Sequence, residues 1–459
     1  MINNQRHPSS FRDPSGYVIN DQGIFKRVIN PIYFKQYSSL KDSGFFDKLF
    51  NNNLLIPHSE ELSTESKIII IPEQIPFITY PYEWCFLQYK EAALLTLKIQ
   101  KYALDHNYSL KDASAFNVTF HNGQAVFIDT LSFDFYRENE PWRAYKQFIA
   151  HFLGPLLLAY YHGAQSLKLL SNFIDGIPIK QLASMLPYKT KLNPFLYSNV
   201  HLLAKFEDKH NDDYEGKSKK TTLSKKAQLN IITTLYDYIK KMSLKEHSEW
   251  GDYYTKMNYS DEAFKLKSKI INTWANTIKP KTVIDVGGND GTFLRLLNQD
   301  IEQALVCDVD NNAVDFNYKK VKTNKETYML PFVLDVLNPS PSLGFNNKER
   351  TSFIERIKVY EPQLTLALAV IHHITLTGNV TFNMSAEFFA KFSKYLIIEF
   401  PKPGDSWVER LLNTKGEFKD HFNFYNVKNF ESAFLQNFDL VEKTEITNTK
   451  RVMYFLKRK

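Results

Sequence analysis

The sequence predicts an α/β protein in two parts: a doubly wound sheet in the C-terminal half, preceded by an α+β domain of similar size. Three observations carry that expectation. From about Ser260 onward, strand-length apolar runs alternate with helix-length segments, the pattern of strands joined by crossover helices. Within that half, Asp285-Val-Gly-Gly-Asn-Asp-Gly291 separates the apolar run Thr282-Val283-Ile284 from the helical stretch Thr292–Leu297, so strand, glycine turn and helix follow one another. Between Lys205 and Lys226 the composition changes abruptly. An acidic stretch with Glu207, Asp208, Asp212, Asp213 and Glu215 gives way to Gly216-Lys-Ser-Lys-Lys-Thr-Thr-Leu-Ser-Lys-Lys226. Polar and short of apolar anchors, this reads as a linker, or alternatively as a basic arm for an anionic partner.

Composition sets the outer bounds. A chain of 459 residues exceeds one ordinary core. Hydrophobic residues at 43% and aromatics at 15% describe packed domains with little disorder. The formal charge of +7 is spread along the chain, which points to solubility and away from nucleic acid as a partner. Cys85 and Cys307 stand far apart, so neither a disulfide framework nor a cysteine zinc site is expected, in keeping with a reducing compartment. Met1-Ile-Asn-Asn-Gln-Arg-His-Pro8 lacks the apolar core of a signal peptide. The run Phe148–Tyr161 is broken by His151, Gly154 and Pro155 and is too short for a bilayer, so it reads as a buried helix. A cytoplasmic protein without membrane association is the expectation.

The elements follow in order. Tyr17–Ile29 reads as a hairpin turning at Asn20–Gly23, and Phe34–Phe50 as helix. Ile68–Ile71 is a short buried strand closed by Pro72 and Pro76. Apolar residues Leu87, Ala92, Leu95, Ile99 and Ala103 recur at helical spacing over 84–106. Val118–Phe120 and Val126–Ile128 read as strands joined at His121-Asn-Gly-Gln124, and 142–206 as mainly helical. The resulting division is an accessory domain over 1–210, a linker and connecting helix over 211–245, and the doubly wound domain over 246–459.

In that last domain a helix is expected over Glu262–Thr277. Strands are expected at Val283–Asp285, Ala304–Asp308, Phe332–Asp335, Leu364–Val370 and Tyr395–Glu399, with two late ones at Phe438–Val441 and Val452–Leu456, seven in all. Ligands of such sheets lie at the carboxyl ends of the strands. A glycine turn opening a helix offers backbone N–H groups and the positive end of the helix dipole, and glycine leaves room for a ligand. Asp285, Asp308 and Asp335 end the first three strands; carboxylates there can accept from ribose hydroxyls or an adenine amino group. Leu366-Ala-Leu-Ala-Val-Ile-His-His373 brings two histidines to the rim, and Glu399 ends the fifth strand. His372 or His373 would suit a general base near neutral pH. Glu399 is either a further acid/base group or a structural partner for Arg410. Tyr253 and Tyr254 are candidates to close over a ligand, or simply packed aromatics. The nicotinamide fingerprint needs glycines at its first, third and sixth positions, and Gly287, Asn289 and Thr292 do not supply them.

The order of glycine turn, second-strand acid and third-strand acid resembles class I S-adenosylmethionine-dependent methyltransferases over about residues 250–459. That resemblance implies a Rossmann-like methyltransferase domain with S-adenosyl-L-methionine as cofactor. It gives the amino-acid end to Asp285, Gly287, Gly288, Asn289 and Gly291, the ribose to Asp308 and the adenine to Asp335. Asn289 stands where glycine is commoner in the family, and Asn tolerates left-handed backbone better than most residues.

In the N-terminal half, Asp112, Asn117 and Asp129 are spaced like the catalytic loop and metal-binding Asp of protein kinases and aminoglycoside-type phosphotransferases. Leu110 stands where the loop's His is usual, and Lys26 or Arg27 substitutes only loosely for the strand lysine. The resemblance implies a degenerate kinase-like module; were it active, Asn117 and Asp129 would hold magnesium. No metal site is expected otherwise. Over its whole length the chain resembles a bacterial family named after the nodulation protein NoeA, through Tyr80-Pro-Tyr-Glu-Trp84, Lys111-Asp-Ala-Ser114, Phe127–Phe133 and Leu366–His373. That family carries a methyltransferase label without a defined acceptor. The sequence thus predicts methyl transfer to an unidentified small molecule or macromolecule. An ATP-dependent phosphotransferase and a non-catalytic S-adenosylmethionine-binding protein are the alternatives.

Overall fold

The computed structural model describes residues 6–206, 222–244 and 261–459. Tyr253, Tyr254 and most of the 205–226 segment lie outside the described residues. The chain divides into two units. One comprises Met1–Lys245 with Ser342–Thr351, the other Glu246–Pro341 with Ser352–Lys459.

The first unit opens on strands β1 (Gly16–Asp21), β2 (Ile24–Ile29), β3 (His58–Ser63) and β4 (Ile68–Pro72), an antiparallel sheet in the order β1-β2-β4-β3. The expected first hairpin is present and turns at Gln22 and Gly23, both at positive φ (53° and 92°). Strand β3 was not signalled by the sequence. Its His58-Ser-Glu-Glu-Leu-Ser63 is almost wholly exposed on the sheet edge, where charge discourages further pairing and apolar alternation is not needed. The helix expected over Phe34–Phe50 is two helices, Phe34–Asp42 and Phe45–Asn51, parted where Gly44 turns left-handed at φ 67°.

Helix α1 (Phe86–Asp105) buries Phe86, Tyr89, Ala92, Leu97 and Ile99 and is the spine of this unit. Next come β5 (Tyr108–Leu110), the hairpin β6 (Val118–His121) with β7 (Gln124–Phe127), and β8 (Phe133–Phe135), which pairs back onto β5. The apolar run at 148–161 is a buried helical segment that loosens to a wider turn at Ile149–Leu153 before Gly154–His162. No helix of the described residues is long and apolar enough to cross a membrane. Helix α2 (Lys225–Lys241) turns Ile232, Leu235 and Ile239 inward and packs along α1. The segment Ser342–Thr351 also belongs to this unit. Its buried Glu349 pairs with Arg12 at 2.6 Å, and the Thr351 N–H donates to the Tyr80 hydroxyl at 3.1 Å.

In the second unit, helix α3 (Asp261–Ile278) precedes β9 (Thr282–Val286). Then follow β10 (Gln303–Asp308), β11 (Met329–Val333), β12 (Leu364–Ala367), β13 (Tyr395–Pro401), β14 (Phe438–Ile446) and β15 (Arg451–Arg458). The seven strands lie in the order β11-β10-β9-β12-β13-β15-β14. The first five are parallel, and β15 is antiparallel to both its neighbours. This is the seven-stranded Rossmann-like sheet that the methyltransferase resemblance implies. Trp274 and Ile271 of α3 pack with Val283, Leu364, Met453 and Phe455 to form its core. The chain reverses direction across the sheet between β9 and β12, so a ligand crevice is expected above the carboxyl end of β9.

Three local expectations need correction. The helix after the glycine turn is the short Thr292–Arg295, a single turn with little dipole to offer. Strand β11 ends at Val333, which leaves Asp335 two residues beyond it, in the loop. Strand β12 ends at Ala367, and the chain then turns through Ala369 at φ 57°.

Candidate functional site

A cavity of about 360 Å³ opens at the carboxyl ends of β9, β10 and β12, all within the second unit. Asp285, Gly287, Gly288 and Asn289 line it from the first strand and turn, Asp308 from the second strand, Asp335 from the loop after the third, and His373 from the segment after the fourth. These sequence-predicted residues therefore converge on one space. Gly291, His372 and Glu399 do not border it.

The turn works differently from the sequence expectation. Its N–H groups are not held out for a ligand. Gly287 and Gly288 both donate to the Cys307 carbonyl (2.8 and 3.1 Å), Asn289 to Asp308 Oδ2 (2.9 Å), and Gly291 to the Gly288 carbonyl (2.8 Å). The first three bonds tie the turn to β10, and the last closes the turn on itself. The glycines are needed for space: a Cβ on Gly287 would lie 2.4 Å from Val370 Cγ2, and one on Gly288 2.7 Å from the Asp285 carboxyl carbon. Gly287 and Gly291 also sit at φ 69° and 74°. Asn289 takes the left-handed conformation, φ 49°, which its side chain tolerates.

The cavity is rich in carboxylate. Asp285 is 1% exposed, and its Oδ1 has no hydrogen-bond partner. Burial pushes its pKa up to about 7; Lys267 pulls against that, while Asp308 and Asp290 add to it. Asp308 is pushed up to about 6, again by burial, against the pull of the Asp310 and Asn289 N–H groups. Buried acids that resist ionisation in this way would be relieved by a bound cation or by hydroxyl donors. Asp335 accepts from the Leu337 N–H at 3.0 Å.

Of the two histidines, His373 reaches the cavity wall and His372 is buried behind it, their rings 4.2 Å apart. Burial, with Arg451 adding to it, lowers His373 to about 4, and His372 falls well below its ordinary value for the same first reason. Both shifts favour the neutral imidazole. Trp407 lies 6.3 Å from the His373 ring, on helix α4 (Ser406–Asn413).

Glu399 is fully buried and ion-paired with Lys267 at 2.9 Å and Arg451 at 3.5 Å. Its expected partner Arg410 instead lies over the Trp407 ring. Sequence reading missed Lys267, Phe293, Val309, Leu337 and Thr377 among the cavity residues. For Lys267 a signal existed: it falls on the buried stripe of α3 with Ala263, Ile270, Ile271 and Trp274, where a charge calls for an explanation.

In the first unit the loop acids also come together. Asp129 is ion-paired with Arg27 and accepts from the Ser132 hydroxyl. Burial alone would raise its pKa, but Arg27, Ser132 and the Leu131 N–H outweigh burial and hold it below the ordinary carboxylate value. Asp112 accepts from the Ser114 N–H (2.9 Å) and from Gln147 (2.8 Å), and Asn117 donates to Ser132 at 3.2 Å. Lys26 faces Asp21 and Glu61, away from this group. Among the described residues, no group of three or more His, Cys, Asp or Glu side chains is arranged to hold a metal ion.

Comparison with known proteins supplies the family. Nodulation protein NoeA of Rhizobium meliloti (strain 1021) is 31% identical over 468 residues, spanning 99% of this chain and 96% of that protein. The chain belongs to the NoeA family. No known family model matches it. Among solved structures, the N-methyltransferase NodS from Bradyrhizobium japonicum WM9 is similar over 43% of this chain and 98% of its own, at 10% identity and a TM-score of 0.31. The magnesium protoporphyrin IX methyltransferase ChlM from Synechocystis PCC 6803, with bound SAH, covers 46% of this chain and 92% of its own, at 14% identity and a TM-score of 0.32. The strand order alone defines the sheet as Rossmann-like.

Proposed function

We propose that this NoeA-family protein is an S-adenosylmethionine-dependent methyltransferase acting on an unidentified acceptor, with the first unit as an accessory domain that helps to position it. One observation carries the reading: Asp285 and Asp308, at the ends of β9 and β10, and Asp335, in the loop after β11, line a single cavity beside a glycine turn that leaves it open. The residues fit the cofactor. Asp285, buried with an unpartnered oxygen, suits an ammonium group. Asp308, held by the Asn289 N–H of the turn and by the Asp310 N–H, suits ribose hydroxyls, and Asp335 suits the adenine amino group.

When bound, S-adenosylmethionine supplies a methyl group activated on a sulfonium. The chain's own residues orient and exclude water. Leu334, Leu337, Leu368, Val370 and Ile374 give the cavity apolar walls, which strengthens every polar contact made inside. His373, a neutral imidazole at the wall, can accept a hydrogen bond from the acceptor's O–H or N–H and aim the lone pair at the methyl. Its lowered basicity suits orientation better than full proton removal.

Calorimetry on the full chain with S-adenosylmethionine tests the reading, alongside Asp308→Ala. Saturable binding, weakened at least about 10-fold by that substitution, is expected from the loss of two charge-assisted ribose contacts. No binding by the wild type, or equal binding by the variant, would sink it. Mass spectrometry of cell extract incubated with the protein and methyl-labelled cofactor would then identify the acceptor.

A further inference from the structure

We propose that the methyl acceptor carries an oxyanion, a carboxylate or a phosphate, and that Arg410 and Lys415 hold it at the mouth of the cavity while His373 orients the atom to be methylated. The assignment rests on the methyltransferase reading above and adds to it the charge class of the acceptor.

The acids of the cavity, Asp285, Asp308 and Asp335, follow β9, β10 and β11. The segment His373–Thr377, after β12, forms a different wall, to which it contributes His373, Ile374 and Thr377 and no acid. Thr377 is exposed as well as cavity-lining, so this wall reaches the mouth. Helix α4 packs against the segment. Its Trp407 ring lies 6.3 Å from the His373 ring, and the Arg410 guanidinium, one helical turn further on, lies 5.0 Å from the centre of Trp407. A single aromatic ring thus separates the guanidinium from the imidazole at the wall.

Arg410 is exposed, and among the described residues no carboxylate pairs with it. The acids nearest to it in the chain are engaged elsewhere: Asp405 accepts from Arg451 at 2.8 Å, and Glu409 from the Gly404 N–H at 2.9 Å. Stacking on a ring fixes the plane of a guanidinium and leaves its N–H fork free at the edge, the geometry that takes a carboxylate or phosphate through two parallel bonds. The far end of the segment has a second such cation. Lys415 donates to Asn379 Oδ1 at 2.7 Å, two residues beyond Thr377, and lies 4.7 Å from the centre of the Phe422 ring. It too has no carboxylate partner among the described residues. Lys419 and Arg451 nearby are neutralised, the first by Glu409 at 3.6 Å and the second by Asp405 and Glu399. Two cations left without counter-charge, one beside each end of this wall, match an acceptor whose charge is opposite to the sulfonium it attacks.

Calorimetry on the full chain saturated with S-adenosylhomocysteine, which has no methyl to transfer, tests this with three probes of similar shape: 4-hydroxybenzoate, 4-hydroxyphenyl phosphate and the neutral 4-hydroxybenzamide. Each offers a hydroxyl to His373 and carries its second group across one ring. The wild type is expected to favour at least one anion over the amide by about 10-fold, from two surface contacts of about threefold each, and the anion it binds more tightly separates carboxylate from phosphate. Arg410→Gln should cut the preference about threefold, and Arg410→Gln/Lys415→Gln should bring it to within about 1.5-fold of one with little change in amide affinity. Raising salt from about 50 to about 500 mM should erode the preference in the wild type, a measurement that needs no variant to fold. Lys419→Gln should leave all three affinities as they are. Equal binding of the three probes, no detectable binding of either anion, a preference indifferent to salt, or one undiminished in the double variant overturns the proposal and leaves the cofactor reading intact. Failure of S-adenosylhomocysteine itself to bind overturns the cofactor reading.

Discussion

The two units each gather loop and strand-end carboxylates, and Asp129 of the first and Asp285 of the second are treated in opposite ways. In the first, Asp129 is neutralised from within: Arg27 pairs with it, Ser132 donates to it, and its pKa falls below the ordinary value. Asp112 nearby accepts from Ser114 and Gln147, yet burial and the neighbouring Asp129 still raise it above the ordinary carboxylate value. In the second, Asp285 keeps an oxygen without a partner and Asp308 has only backbone donors, and burial raises both. An internally satisfied acid stabilises the fold. An acid left short of positive charge strains it, and that strain is what a ligand can relieve. Motif spacing made both groups candidate sites; the charge balance separates them.

The sharpest test of that contrast is one conservative substitution in each unit. Asp285→Asn is expected to abolish cofactor binding, a loss of at least about 100-fold, while making the ligand-free protein more stable at pH 8 by about 1–3 kcal/mol, since it removes a carboxylate whose ionised form is disfavoured there. Asp129→Asn should do the reverse. It strands Arg27, lowers stability by about 2–4 kcal/mol, somewhat below the fully buried case because both side chains keep some exposure, and leaves cofactor affinity alone. Denaturant titrations of the three proteins with calorimetry check both signs. Destabilisation by Asp285→Asn would break the comparison.

A second pair separates packing from function. Gly16→Ala places a methyl 2.3 Å from the Val28 carbonyl oxygen, and Gly288→Ala places one against the Asp285 carboxylate. Each should cost about 1–3 kcal/mol of stability through overpacking. Only Gly288→Ala should also weaken S-adenosylmethionine, by about 10-fold or more, because it displaces the acid that faces the ligand. Equal affinities in the two variants would show that the turn's tight fit is structural alone.

Much of this was legible in the sequence for a physical reason. Strands β9, β10 and β12 are apolar runs because a parallel sheet is covered on both faces, and polar residues at their ends then stand out. Asp285 and Asp308 were visible on that ground. What was hidden depends on pairing across distant elements. Glu399 reads as a strand-end acid like the others, and only the fold brings Lys267 from α3 and Arg451 from β15 against it. The turn's N–H groups looked available because the sequence does not show that the Cys307 carbonyl reaches two of them. Strand β3 was missed because an exposed edge strand carries no apolar alternation.

The smallest expected effect is on pH, and it has opposite signs in the two units. Asp285 has a folded-state pKa of about 7, above its unfolded value, so its contribution to stability is fully present below the ordinary carboxylate range and is lost as pH rises from about 4 to about 7. Asp129 is depressed, so its contribution is present above that range and is lost as pH falls through it. The ligand-free protein should therefore gain from the first group and lose from the second on acidification. Cofactor binding reads the cavity acids, Asp285 first and Asp308 with it, and not Asp129. An ammonium on the ionised carboxylate lowers its pKa, so binding near pH 6.5 should release up to about one proton, and affinity should fall about 10-fold between pH 8 and pH 6. Calorimetry in two buffers of different ionisation enthalpy measures that release directly. In Asp285→Glu, a variant that keeps the charge, release should persist; in Asp129→Asn it should be the same as in the wild type. Proton uptake on binding, or a release altered by Asp129→Asn, would mean that the ligand is compensating a different acid from the one at the end of β9.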